Sequence, residues 1–133
     1  MLGDQGVQHG ESRITTGKQG EALACTELTR RGYEILATRY RTRFGEIDIV
    51  CDDAGTVVFV EVKARKSARK GTAAEAVSGY KQRRLAAMAL DYLAWTGRLQ
   101  QRARFDVVAI DGFGTDHVEL RVIPNAFVVD RTL

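Results

Sequence analysis

Asp48 and Glu61, thirteen positions apart, with Lys63 two positions further on, are residue types that together can hold a hard divalent cation and hydrolyse a phosphate ester. Asp48 lies in Gly45-Glu46-Ile47-Asp48-Ile49-Val50, where a period of two puts Glu46 and Asp48 on one strand face and Ile47 and Ile49 on the other. Glu61 and Lys63 close the apolar run that begins at Val57, a pattern suited to a strand buried on both faces near the middle of a sheet. The residues between, with Asp52, Asp53 and Gly55, predict a turn and hence an antiparallel hairpin that brings Asp48 close to Glu61. Two carboxylates at close range repel, and one takes a raised pKa unless a cation lies between them. Mg²⁺ or Mn²⁺ answers that repulsion, and Lys63 would orient a water or oppose negative charge developing on phosphate. The plain alternative is a structural ion-pair network, which imitates such sites.

The elements that must position these groups are legible in outline. Residues 1–14 are polar and without periodicity, and read as a flexible tail; residues 15–133 form one domain. A helix is expected from Thr16, capped by Thr15 or Thr16 and stopped at Gly32. Glu21 shares the face of Ala24, Cys25 and Leu28, and is either drawn to the site or simply placed where a carboxylate favours the helix dipole. A first strand runs from Tyr33 to about Tyr40. Arg39, Arg41 and Arg43 then alternate with Tyr40 and Phe44, an arrangement that meets backbone and bases or else packs the aromatics inward and leaves the arginines solvated. Gly45 relaxes the backbone before Glu46, a surface or supporting acid.

After Lys63 comes a basic loop holding Arg65, Lys66, Arg69 and Lys70, expected to be mobile until it meets a polyanion. Thr72 to Glu75 fits a capping box. Gly79 divides a short helical piece from a longer one ending near Trp95, with Gly97 beyond it. Val77, Lys81, Leu85, Met88 and Tyr92 share one helical stripe, so Lys81 is a cation on an apolar face that either snorkels to solvent or reaches the acids. Arg104 to Ile110 reads as a strand in which Asp106 pairs with a nearby arginine. A turn through Gly114 leads to a last strand, Val118 to Ile123, stopped by Pro124, with Phe127 and Val128 folding back as apolar cover.

The chain has 133 residues, 44% hydrophobic and 28% charged, with net charge +3, which suits a single folded domain. The positive charge is concentrated: Lys63 to Arg84 carries eight basic residues against Glu75 alone, beside the carboxylates, where a phosphodiester would need it. Two cysteines without a C-x-x-C pattern and two histidines argue against zinc, and the cysteines read as reduced core residues. No apolar run approaches a membrane span and no signal peptide is evident, so a cytoplasmic location is expected.

Asp48, twelve intervening residues and Glu61-Val62-Lys63 resemble the D…(D/E)-x-K signature of the PD-(D/E)xK nucleases. With Gly20-Glu21-Ala22, Gly45-Glu46-Ile47-Asp48, Phe59 to Lys63, Lys81 and Arg104 to Val108, the chain resembles the YraN family, related to archaeal Holliday-junction resolvases, over roughly residues 17 to 127. The resemblance implies a three-layer, restriction-endonuclease-like α/β fold with a mixed central sheet flanked by helices. It implies a metal-dependent nuclease in which Asp48, Glu61 and the Val62 carbonyl hold Mg²⁺ or Mn²⁺, Lys63 activates water and Glu21 supports the metal. Arg41, Arg43, Arg65, Lys66, Arg69, Lys70 and Lys81 would meet nucleic acid, DNA before RNA, and the resolvases it resembles commonly act as homodimers. Gln82 lacks a tyrosine four positions later, so the Q-x-x-x-Y feature of RecB-type relatives is absent. The second reading is a nucleic-acid-binding or assembly module that retains the scaffold without turnover.

Overall fold

The computed structural model describes residues 8–66 and 77–128, with side chains described from residue 17 onward. Helix α1 (Gln8–Arg30) precedes strands β1 (Glu34–Thr42), β2 (Gly45–Asp53) and β3 (Thr56–Arg65), and helix α2 (Gly79–Trp95) then leads to β4 (Ala103–Asp111) and β5 (Glu119–Phe127). The strands lie in the order β1-β2-β3-β4-β5, antiparallel except for the β3–β4 pair, which α2 connects. The sheet is therefore mixed. Its two faces carry separate apolar clusters: α1 supplies Ala24 and Leu28 to one, and α2 supplies Leu85, Met88, Ala89, Tyr92 and Leu93 to the other. This is the expected three-layer, restriction-endonuclease-like α/β fold. Among the described residues no helix is long and apolar enough to cross a membrane.

The expected hairpin is present. Asp53 faces Thr56 across a two-residue turn in which Ala54 and Gly55 both take positive φ, 50° and 96°. That geometry matches the strand twist, which is why a glycine is useful there. β3 is the middle strand, with Val57 to Val60 buried on both faces. Burial of both faces requires the unbroken apolar run.

Two element boundaries differ from expectation. α1 begins at Gln8, so Thr15 and Thr16 lie within the helix and not at its cap. It does stop at Gly32, where the Tyr33 N–H returns to the Leu28 carbonyl (3.0 Å). β5 runs through Pro124 to Phe127. It is an edge strand, where a missing N–H removes no obligatory bond, and its register against β4 shifts between Phe105 and Val107. Asn125, at φ 53°, turns its N–H to Asp106 Oδ1 (2.8 Å) at that irregularity. Finally, Phe127 stacks on Phe105 (5.1 Å between centroids) as apolar cover, whereas Val128 is exposed.

The turn between β1 and β2 is tied to α2. Arg84 donates from Nε (3.1 Å) and Nη2 to the Phe44 carbonyl. Gly45 has φ 131°, and a Cβ there would lie 2.8 Å from Arg84 Nη2. The arginine tip can shift, but the backbone conformation cannot suit an L side chain. Gly45→Ala is expected to destabilise the fold by about 1–3 kcal/mol, the usual cost of a strained φ/ψ. Urea unfolding checks this, and an unchanged midpoint would contradict it.

Candidate active site

Ile49 faces Val60 in the last pair of the β2–β3 ladder, and Asp48 and Glu61 are the next residues beyond it on the two strands. Across β1 and β2, Thr38 faces Ile49 and Tyr40 faces Ile47, which sets Arg39 opposite Asp48. One row thus crosses three strands as Arg39, Asp48, Glu61. The ladder is irregular here, since Arg39 has φ 52°. The faces change at the same row: Ile49 belongs to the α1-side cluster, while Ile47, with Tyr40 packed against its cluster, belongs to the α2 side. The period-two expectation that Ile47 and Ile49 share a face is therefore overturned. The left-handed Arg39 of β1 stands beside this break in the alternation of β2.

The consequence is local and chemical. Asp48 Oδ2 accepts a hydrogen bond from the Val62 N–H at 2.8 Å, just past the end of the β2–β3 pairing. N–H and C=O of one strand residue point to the same lateral side. The Val62 carbonyl is therefore directed toward the Asp48 edge, not toward β4. Glu61, Lys63 and Arg65 alternate along the α2 side of β3, and Glu61 is buried.

Helix α2 completes the cluster. Ser78 caps it, its Oγ accepting from the Lys81 N–H (3.2 Å), which fixes the first turn. Lys81 then extends from the apolar stripe to Glu61, with Nζ 2.6 Å from Oε2. It reaches the acids rather than merely snorkelling past them.

The electrostatics follow from packing two carboxylates and two ammoniums into a half-buried corner. Burial pushes the Asp48 carboxyl up, the Glu61 charge adds to this, and the result is about 7. Burial lowers the Lys63 pKa, and the neighbouring Lys81 charge lowers it further. For Lys81 burial also opposes the charge, but its contact with Glu61 outweighs that and its pKa is raised. Lys81 is thus the fixed cation and Lys63 the one eased toward neutrality.

A raised native pKa at Asp48 has a definite sign. The protonated form is favoured by folding, so its stabilisation is full below the unfolded value near ~4 and is lost as pH rises through about 7. Asp48→Asn is expected to remove that loss, making the variant more stable than wild type at pH 8 but not at pH 4. At ~1.36 kcal/mol per unit the gain is at most about 4 kcal/mol, reduced by solvent around the carboxylate. Thermal unfolding from pH 4 to 8 reads it directly, and parallel curves for the two proteins would contradict it.

The donor set fits one hard divalent ion. Mg²⁺ takes one or two carboxylates and completes its shell with water and substrate phosphate, which Asp48, Glu61 and the Val62 carbonyl can supply. Among the described residues no three His, Cys, Asp or Glu side chains form a ready cage. Glu21 is close enough that its charge also raises Asp48, but its Oε1 accepts from Arg39 Nε at 2.7 Å. It is engaged by a guanidinium.

The expected basic residues divide. Arg41 pairs with Glu46 across β1 and β2 (2.7 Å), and Arg43 lies over the Phe44 ring (5.0 Å). Tyr40 makes a T-shaped contact with Tyr92 (5.0 Å) and packs inward against the α2-side cluster, whereas Phe44 remains at the surface. Arg65 leans toward Asp111 (3.6 Å), and Lys66 is exposed just beyond β3. Arg69, Lys70 and the Thr72–Glu75 box lie outside the described residues. Cys25 and Cys51 are free thiols on the α1 side, Cys51 in the core and pushed up to about 12 by burial. Asp106 pairs with Arg104 as anticipated (3.0 Å). Arg39, one of the three arginines alternating with aromatics, is distinguished from Arg41 only by its left-handed backbone and its register, neither visible in sequence.

Residues 20–110 match the family model described as "Uncharacterised protein family UPF0102". A UPF0102 protein of Anaeromyxobacter dehalogenans (strain 2CP-C) is 44% identical over 118 residues, covering 89% of this chain and 87% of that protein. A UPF0102 protein of Symbiobacterium thermophilum is 47% identical over 111 residues, covering 84% of this chain and 94% of the relative. One of Geobacter metallireducens is also 47% identical over 111 residues, covering 84% and 90%.

Proposed function

The chain belongs to the uncharacterised protein family UPF0102, and we propose that it is a divalent-metal-dependent nuclease that hydrolyses phosphodiester bonds in nucleic acid. The observation that carries this reading is the convergence of Asp48 and Glu61 from adjacent strands, with Lys63 and Lys81 beside them. The raised pKa of Asp48 and the depressed pKa of Lys63 accompany that convergence and support the reading together with it.

Asp48, Glu61 and the Val62 carbonyl would hold Mg²⁺ or Mn²⁺, which when bound supplies Lewis acidity at the phosphoryl group. Lys63, its ammonium eased toward neutrality, positions the attacking water and accepts or shares its proton. Lys81 carries a firm positive charge at the carboxylate pair, placed to meet phosphate oxygen as negative charge develops. Arg41, Arg43 and Lys66 stand at the surface as backbone contacts, which position the polymer without reading its sequence. Double-stranded DNA, and structured or branched DNA in particular, is the substrate we favour over RNA, acted on in the cytoplasm by a pair of chains, in keeping with the resolvase resemblance.

The test supplies purified protein with Mg²⁺ or Mn²⁺ to linear, flapped and four-way DNAs and to RNA. Cleavage of a DNA that disappears in Asp48→Ala supports the enzyme. Binding to the same DNAs without cleavage would instead identify a nucleic-acid-binding module.

A further inference from the structure

We infer that Arg39 is a phosphate-binding residue of this site and that Glu21 positions its guanidinium rather than holding the metal. The inference rests on the nuclease reading for its ligand class, the phosphate backbone of nucleic acid.

Arg39 stands opposite Asp48, at the row where β1 and β2 exchange faces. Its backbone is left-handed at φ 52°, a conformation that a long side chain adopts at a cost. Such an outlier, beside a cluster of acids, is where strain is retained for a purpose. The side chain does not collapse onto the carboxylate opposite it. Nε donates instead to Glu21 Oε1 at 2.7 Å, while Nη2 lies 4.0 Å from where a Cβ on Gly17 would be. Glu21 lies on α1, so the helix holds the guanidinium at one edge.

That grip uses one of the five N–H donors. Among the described residues, both terminal nitrogens lack a protein hydrogen-bond partner, and the side chain is 41% exposed. The planar fork is therefore held from behind and open in front, as bidentate phosphate binding requires. The charges of Glu21, Glu46 and Asp48 all act on it, which places it at the rim of the carboxylate cluster. Lys81 approaches the same carboxylates from α2. A backbone lying over Asp48 and Glu61 would thus meet a cation on each side.

The experiment measures duplex DNA binding by the full chain in EDTA across a salt series, and Mn²⁺ binding separately. Arg39→Asn removes the guanidinium while keeping a residue that tolerates the left-handed backbone, and Arg39→Gly is the second variant at that φ. Both are expected to weaken DNA binding about threefold to tenfold at low salt and to reduce the slope of log affinity against log salt by about one, as for one lost phosphate contact. Their Mn²⁺ affinity is expected to equal that of wild type. Glu21→Ala should weaken DNA binding less than Arg39→Asn, leave Mn²⁺ affinity unchanged, and add no further loss in the double variant.

An unchanged salt slope in both Arg39 variants would overturn the inference. So would a loss of Mn²⁺ affinity in Glu21→Ala as large as in Asp48→Asn, which would make Glu21 a metal ligand. Because binding is read in EDTA, a wild type that binds DNA but never cleaves it removes the nuclease reading alone. A cleaving wild type with indifferent Arg39 variants removes this inference alone.

Discussion

Lys63→Ala is expected to lower metal-dependent cleavage by about 10²–10⁴-fold while leaving DNA affinity within about threefold of wild type. Lys63 lies at the end of the central strand, half-buried beside Lys81, Glu61 and Asp48, with its pKa depressed first by burial and then by the Lys81 charge. A lysine placed only to attract a polyanion would be better left solvated and fully charged. Lys63→Arg should not restore the rate, because a guanidinium stays protonated and cannot take a share of a proton. Lys81→Met provides the contrast. It removes the 2.6 Å contact with Glu61 and leaves that buried carboxylate without its ammonium. Its effect is expected on stability and DNA affinity together, not on the chemical step alone. Single-turnover cleavage at saturating enzyme separates the two. Equal loss in both variants would mean that Lys63 is one more phosphate contact.

Arg104→Ala is expected to destabilise the fold by about 3–5 kcal/mol without touching the site. Asp106 is fully buried, and Arg104 meets it through Nε (3.0 Å) and Nη2 (3.3 Å). The same Nη2 also reaches Asp53 (2.9 Å) and the Tyr33 hydroxyl (2.8 Å). Through these bonds one guanidinium joins the start of β4 to the end of β2 and to the residue before β1. Asn125 adds the β5 irregularity. Removing the cation leaves Asp106 as a buried charge with neutral donors only. Adding Asp106→Asn to Arg104→Ala should recover part of the loss, because the uncompensated charge is then gone. Denaturant unfolding of both variants checks this, and a loss below about 1 kcal/mol in Arg104→Ala would show that solvent replaces the arginine.

The two clusters are not equally legible in the sequence. The Asp48–Glu61 pair could be read because a hairpin turn and a central apolar run are local patterns, and a two-residue turn fixes the register between them. Lys81 was legible for a similar reason: a cation on an apolar stripe needs a partner. The pairing of Asp106 with an arginine was also anticipated, although its four-residue network was not. What stayed hidden depends on the neighbours of neighbours. Nothing local in β1 announces that Arg39 turns left-handed, and nothing in β2 that Ile47 and Ile49 take opposite faces. Arg41 and Arg65 resembled Arg39 in sequence, yet cross-strand register gave one to Glu46 and brought the other toward Asp111. Pro124 looked like a stop because its position at a sheet edge is a property of topology, not of the residues around it.

The most direct measurement titrates Mn²⁺ into the protein at pH 6 and pH 8, with no nucleic acid present, for wild type, Asp48→Asn and Glu61→Gln. The expected result is one ion bound by wild type, more tightly at pH 8, with proton release at pH 6 as the Asp48 carboxyl gives up the proton it holds to about 7. Both variants should lose that site. Equal Mn²⁺ affinity in all three proteins, or binding by wild type that does not change between pH 6 and 8, would contradict a shared ion between positions 48 and 61.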